Sequence, residues 1–126
     1  MKAILRQVRI TPKKAHIVAG MLRGKKVSDA LDFLKFTPKK AAKILYKVIA
    51  SAAANAQNNF KQDFDHLYIS EIYVTEGATY KRSMPVSRGR AHPILKRTAH
   101  IVVHLNVEIP AEKPKKNKKN LLTANV

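Results

Sequence analysis

The chain has 126 residues and carries 25 Lys and Arg against 8 Asp and Glu, a formal charge of +17. About one domain is the expectation at this length, and a hydrophobic content of 45% supports a core, which excludes a wholly disordered chain. The lack of cysteine excludes disulfides, a thiolate nucleophile and a cysteine-built zinc site and fits a reducing compartment, while a surface this basic calls for a polyanion, of which nucleic acid is the commonest.

The start, Met1-Lys2-Ala3-Ile4-Leu5-Arg6, meets charge before an apolar run long enough for a signal peptide. No run reaches the ~18 apolar residues of a membrane span, so the chain reads as soluble and cytoplasmic. Ala3 to Ile10 alternates, with Ile4, Val8 and Ile10 on one phase and Arg9 on the other, which suits a strand with that apolar phase on one face. Thr11-Pro12 reads as an N-cap followed by proline at the first helical position. Ala15, Val18, Ala19 and Leu22 then recur at helical spacing, Gly24 ends the helix, and Lys13, His16, Gly20 and Arg23 take its other side. A short second helix buries Val27, Ala30, Leu31 and Leu34.

Thr37-Pro38-Lys39-Lys40-Ala41 nearly repeats Thr11-Pro12-Lys13-Lys14-Ala15. The flanking sequences differ, so this reads as one helix-start chemistry used twice and not as a duplicated domain. The helix it opens runs to about Asn59 with Ala41, Ile44, Leu45, Val48, Ile49, Ala52 and Ala56 inward, and Lys39, Lys43 and Lys47 form a ridge along its exposed side. Leu67 to Glu76 is β-rich, but its apolar phase slips between Ile69 and Ile72, which predicts a bulge near Ser70-Glu71. The returning strand places Ile101, Val103, Leu105 and Val107 inward and His100, His104 and Asn106 outward.

Between these strands lies Gly77 to Thr98, too long for an ordinary hairpin loop of ~2–5 residues and without the alternation that would bury a face of its own. Arms of about ten residues would carry its tip ~33 Å from the core. From Gly77 to Val107 there are six basic residues and no acid. With Tyr80 and His92 available for stacking, the stretch suits a finger laid along RNA phosphates and splayed bases. Such a finger has no apolar burial to offset an ordering cost of ~1–2 kcal/mol per residue, so it is expected to order on binding. Residues 1–109 form the folded unit, and the Lys-rich stretch 110–126 reads as a flexible basic tail.

Catalytic chemistry is not written in the chain. His100 and His104 would stand about 13 Å apart along a strand, too far to share a metal ion. Gly24-Lys25-Lys26 lacks the rest of a phosphate-binding loop, and no Gly-x-Ser-x-Gly elbow occurs. No catalytic residue, metal site, cofactor or small-molecule substrate is expected. Two other readings stand beside an RNA-binding one: an architectural double-stranded DNA binder, for which only Met84, Pro85 and Pro93 offer wedge residues, and a small RNA-modifying enzyme, which the missing acid–base and metal clusters disfavour.

Several stretches together resemble the L22 family of large-subunit ribosomal proteins. They are Val8-Arg9-Ile10-Thr11-Pro12-Lys13-Lys14, Leu22-Arg23-Gly24-Lys25-Lys26-Val27, Ser51-Ala52-Ala53-Ala54-Asn55-Ala56 with Asn59, and Ile72-Tyr73-Val74-Thr75-Glu76-Gly77. More specific still are Lys81-Arg82-Ser83-Met84-Pro85, Arg88-Gly89-Arg90-Ala91 and Ile94-Leu95-Lys96-Arg97-Thr98-Ala99-His100-Ile101, in the same order along residues 3 to 107.

The resemblance implies an α+β fold, three helices packed on a small three-stranded antiparallel sheet, with a long extended β-hairpin at about 77–99. It implies a structural role in the large subunit: binding 23S-type rRNA, assisting assembly, and lining the peptide exit tunnel near its narrow point with the hairpin tip. Its partners would be large-subunit rRNA, neighbouring proteins including L4, and the nascent peptide, with no membrane. The setting would be cytoplasmic, with an organellar ribosome left open. The candidate rRNA-binding residues of the body are Arg6, Arg9, Lys13, Lys14, Arg23, Lys25, Lys26, Lys39, Lys43 and Lys47. Those of the hairpin and tunnel are Tyr80, Lys81, Arg82, Met84, Pro85, Arg88, Gly89, Arg90, His92, Lys96 and Arg97.

Overall fold

The computed structural model describes residues 1–108, so the expected basic tail lies outside the described residues. In chain order the elements are β1 (Lys2–Val8), α1 (Pro12–Gly20), α2 (Val27–Phe36), α3 (Lys40–Phe60), β2 (Leu67–Glu76), β3 (Tyr80–Pro85), β4 (Ala91–Lys96) and β5 (Ala99–Val107). β1, β5 and β2 form an antiparallel sheet in that spatial order, and β3 pairs with β4 as a separate two-stranded ribbon. This is the expected α+β architecture.

The core follows from the periodicities. α3 buries Ala41, Ala42, Leu45, Val48, Ile49, Ala52, Ala53 and Ala56. Alanine favours the helix and leaves little bulk, so α3 settles closely across β1 and β5 while α2 packs along it. α1 lies over β2, burying Ala15, Val18 and Ala19. Leu31 and Ile44, expected in the core, are only half-buried at its margin.

The slip in β2 is the expected bulge. Pairing with β5 shifts between Ile69 and Glu71, and the extra residue, Ser70, donates its hydroxyl to the His104 carbonyl at 3.1 Å. Ile69 and Ile72 can then both face inward, and both are buried. The outer edge of β2 is covered by the turn after α1. Gly24, at φ +76°, donates to the Ile69 carbonyl at 2.9 Å, and the Ile69 N–H donates to the Lys25 carbonyl at 2.9 Å.

Two expectations are corrected. Ile4 is 45% exposed and does not share a buried face with Ile10; Ala3 and Leu5 take the inner face, opposite Val103 and Ile101. The phase is then reset by Gln7, whose φ of +51° marks an irregularity between Leu5 and Val8. Val8 is thereby half-buried and Ile10 buried, so simple alternation from Ile4 to Ile10 misplaces the first member. The second Thr-Pro does not start its helix either: α3 begins at Lys40. Thr37 instead ends α2, its hydroxyl donating to the Phe33 carbonyl at 2.7 Å.

The body meets the β3–β4 ribbon at a tight joint. Glu76 pairs with Ala99 and Tyr80 with Lys96, so the outgoing strand spends residues 77–79 where the return spends 97–98. Gly77 donates its N–H to the Thr98 carbonyl at 2.9 Å. Thr98, 2% exposed and the buried polar side chain among the described residues, donates its hydroxyl to the Ala78 carbonyl. A Cβ on Gly77 would collide with that hydroxyl and stand 3.3 Å from the Thr98 carbonyl carbon. Gly77→Ala should therefore break the hydroxyl bond and strain the joint, costing about 1–2 kcal/mol. At ~4–8 °C per kcal/mol, calorimetry should show a clear drop in Tm; an unchanged Tm would mean the approach is not tight.

Candidate nucleic-acid interface

Among the described residues, no helix or sheet packs against the ribbon. In β3 and β4 every residue is exposed except the half-buried Ile94. Directly paired residues share a face, so Tyr80, Arg82, Met84, His92, Ile94 and Lys96 lie on one side, and Lys81, Ser83, Pro85, Ala91, Pro93 and Leu95 on the other. The first side carries the aromatic and imidazole rings. There the Arg82 guanidinium lies 5.8 Å from the Tyr80 ring centre and donates to the Lys81 carbonyl at 3.0 Å. The opposite side is small-residued around Ser83, Pro85, Ala91 and Pro93. Prolines are tolerated because both strands are edges and need no partner on their outer rims.

At the tip the Val86 N–H donates to the Arg90 carbonyl at 2.9 Å. Arg88 at φ +61° and Gly89 at φ +70° turn the chain. Gly89 was expected to allow this curvature; sharing it with a left-handed Arg88 was not legible, because arginine carries no preference for that region. The paired strands of six residues each span ~20 Å.

All ten candidate cations of the body are exposed, but they do not form one patch. Arg9, Lys14 and Lys39 line a common cleft between the β1–α1 turn and the start of α3, and Lys40 joins them. Sequence reasoning passed over Lys40. Its signal was the Thr-Pro-Lys-Lys repeat, in which Lys40 is the counterpart of Lys14. Lys47 lines a different groove with Leu5, Val8 and Ile44, on the ridge it shares with Lys43. On the far side, beside β2, Lys25 sits 4.4 Å from the Phe33 ring centre. Lys26 pairs with Glu108 at 3.5 Å, and Arg23 donates to the Ile72 carbonyl at 3.1 Å.

The two strand histidines have protein partners of their own. His100 Nδ1 accepts the Gln7 N–H at 3.0 Å, which the irregularity at Gln7 makes possible. His104 Nε2 lies 3.1 Å from the Tyr73 hydroxyl. Among the described residues no group of three or more His, Cys, Asp or Glu is arranged to hold a metal ion.

Ribbon and body are tied electrostatically as well as by backbone. The Arg9 guanidinium donates to the Arg97 carbonyl at the ribbon's root, and the Lys40 ammonium donates to the Arg9 carbonyl at 3.0 Å. A line of cations therefore runs from α3 to the base of the hairpin, held by carbonyls that orient the charges without neutralising them. Arg9→Ala should loosen the root. Amide exchange at Gly77, whose N–H closes the joint, should quicken roughly two- to tenfold; unchanged exchange would show that Arg9 does not hold it.

Comparison with known proteins gives concordant matches. The family model for ribosomal protein L22p/L17e matches residues 3–106. A large ribosomal subunit protein uL22 from Lactobacillus delbrueckii is 53% identical over 102 residues, covering 81% of this chain and 87% of the relative. The protein of the same name from Pelotomaculum thermopropionicum is 50% identical over 102 residues, covering 81% and 90%. That from Fusobacterium nucleatum is 52% identical over 107 residues, covering 85% and 96%.

Proposed function

The chain belongs to the ribosomal protein L22p/L17e family, and from that premise we propose that its body grips large-subunit rRNA while its hairpin reaches through that RNA to the peptide exit tunnel. It is a structural, non-enzymatic constituent of the cytoplasmic large ribosomal subunit. The observation that carries the finer reading is the ribbon itself: exposed on both sides, studded with cations, free of acids and without a core.

In this reading the body residues Arg6, Arg9, Lys13, Lys14, Arg23, Lys25, Lys26, Lys39, Lys43 and Lys47 neutralise phosphates on separate RNA segments. Tying those segments together is what would assist assembly. On the hairpin, Tyr80, Arg82, His92 and Lys96 offer stacking and phosphate contacts from one side, with Lys81 and Arg97 adding charge. Met84, Pro85, Arg88, Gly89 and Arg90 form the end that would line the tunnel, near L4 and the nascent peptide. The residues from 110 onward supply sequence-independent affinity for RNA.

Binding of the full chain to large-subunit rRNA, measured across salt concentrations, tests this. Affinity should fall steeply with salt, and each single Lys→Gln change at a phosphate contact should flatten the log–log slope by about one or less. A photo-crosslinker at Arg88 in assembled subunits should capture nascent peptide. No preference for rRNA over an unrelated duplex at near-cellular salt would contradict the reading, as would a tip that never meets nascent chain.

A further inference from the structure

We propose that His100 is the positioning residue of the hairpin's root, and that it holds the root only while its Nδ1 carries no proton. The pairing of β1 with β5 supplies the first observation. Leu5 stands opposite Ile101 and Val8 opposite Ala99, so Arg6 and Gln7 together face the single residue His100. A bulge of this kind leaves an extra residue outside the ladder. Here the N–H of Gln7 is taken by the imidazole instead, Nδ1 accepting it at 3.0 Å. Gln7 is left-handed at φ +51°, a conformation a residue with a side chain keeps only where its surroundings hold it.

The same half-buried ring reaches the joint. A Cβ built on Gly77 would stand 3.3 Å from its Cε1, so the imidazole lies against the first residue of the joint as well as against the bulge. Two residues beyond Gln7, Arg9 bonds the Arg97 carbonyl. A change of backbone at Gln7 is thereby carried to the ribbon's root. The device does not depend on what the hairpin binds.

A ring nitrogen that accepts a hydrogen bond carries no proton, so the neutral ring has its proton on Nε2. Protonating Nδ1 would set two donors face to face. The Gln7 N–H would lose its acceptor, the left-handed backbone its support, and the root its alignment through Arg9. The bond is therefore kept at high pH and lost as pH falls through the titration of the ring. The charged groups on the surrounding elements are Arg6 and Arg9 on the β1 side, Glu76 beside the register partner Thr75 on β2, and Arg97 at the root. Among the described residues none of them forms an ion pair or hydrogen bond with the ring.

The test is NMR of the full-length chain from about pH 5 to about pH 8. Imidazole nitrogen shifts report the protonation of His100, and the Gln7 and Gly77 amides report the bond and the joint. At the upper end Nδ1 should be unprotonated, and the Gln7 amide should shift with the same midpoint as the ring. Gly77 exchange, corrected for its intrinsic pH dependence, should quicken about tenfold as pH falls through that midpoint. His100→Asn, which can place an oxygen where Nδ1 stands, should keep Gly77 protected at every pH. His100→Gln, whose oxygen falls elsewhere, should leave Gly77 quick throughout. A proton on Nδ1 at the upper end, or a Gly77 rate indifferent to the ring's midpoint, would overturn the proposal. So would a His100→Gln chain as protected as the native one. The native titration needs no substituted chain, so misfolding of either variant leaves it decisive.

Discussion

Everything in this molecule depends on where apolar burial stops. The buried cluster takes in the three helices and the inner face of β1, β5 and β2, and no member of it comes from β3 or β4. A two-stranded ribbon without a packed face is marginal in water, yet five of the twelve residues in the strands of this one are cations or rings suited to RNA. The body can therefore fold by the hydrophobic effect, while the ribbon has no apolar cover among the described residues, and the proposed source of its ordering is a partner outside the chain. Charge is what points to RNA as that partner. The ion pairs among the described residues, Lys26–Glu108 and Lys35–Asp32, are both exposed, and pairs of that kind contribute little.

The joint translates one regime into the other. Gly77 and Thr98 approach closely enough that a methyl group would not fit, and the buried Thr98 hydroxyl fixes the outgoing strand through the Ala78 carbonyl. Arg9, bonded to the Arg97 carbonyl, brings the α3 side of the body into the same root. The direction in which the hairpin leaves is thus set by the stable part of the fold, although the hairpin's own order is not. In the proposed reading, where the finger threads through RNA, this division lets the body locate the site and the RNA complete the shape.

Much of this was legible in the sequence because the relevant signals are local. Pro12 began its helix, the slip between Ile69 and Ile72 marked the bulge at Ser70, and β5 alternated as its apolar residues required. The finger showed itself through length and one-signed charge. What escaped was decided by tertiary contacts. Ile4 was placed on one face with Val8 and Ile10 because Gln7's left-handed backbone, stabilised by its N–H bond to His100, cannot be seen in a pattern of hydrophobics. Thr37 was read as a helix start because its return bond to Phe33 depends on α2 ending there. Lys40 was passed over because its role emerges only when two Thr-Pro-Lys-Lys segments, far apart in sequence, line one cleft.

The most direct measurement is amide hydrogen exchange across residues 80–96, taken on the free full-length chain and on the same chain within assembled large subunits. The account predicts near-unfolded exchange rates along β3 and β4 in the free protein, beside strong protection in β5 and α3, and protection of the ribbon once it is in the subunit. Ribbon amides as protected in the free chain as those of β5 would contradict it, since the hairpin would then hold its shape without RNA.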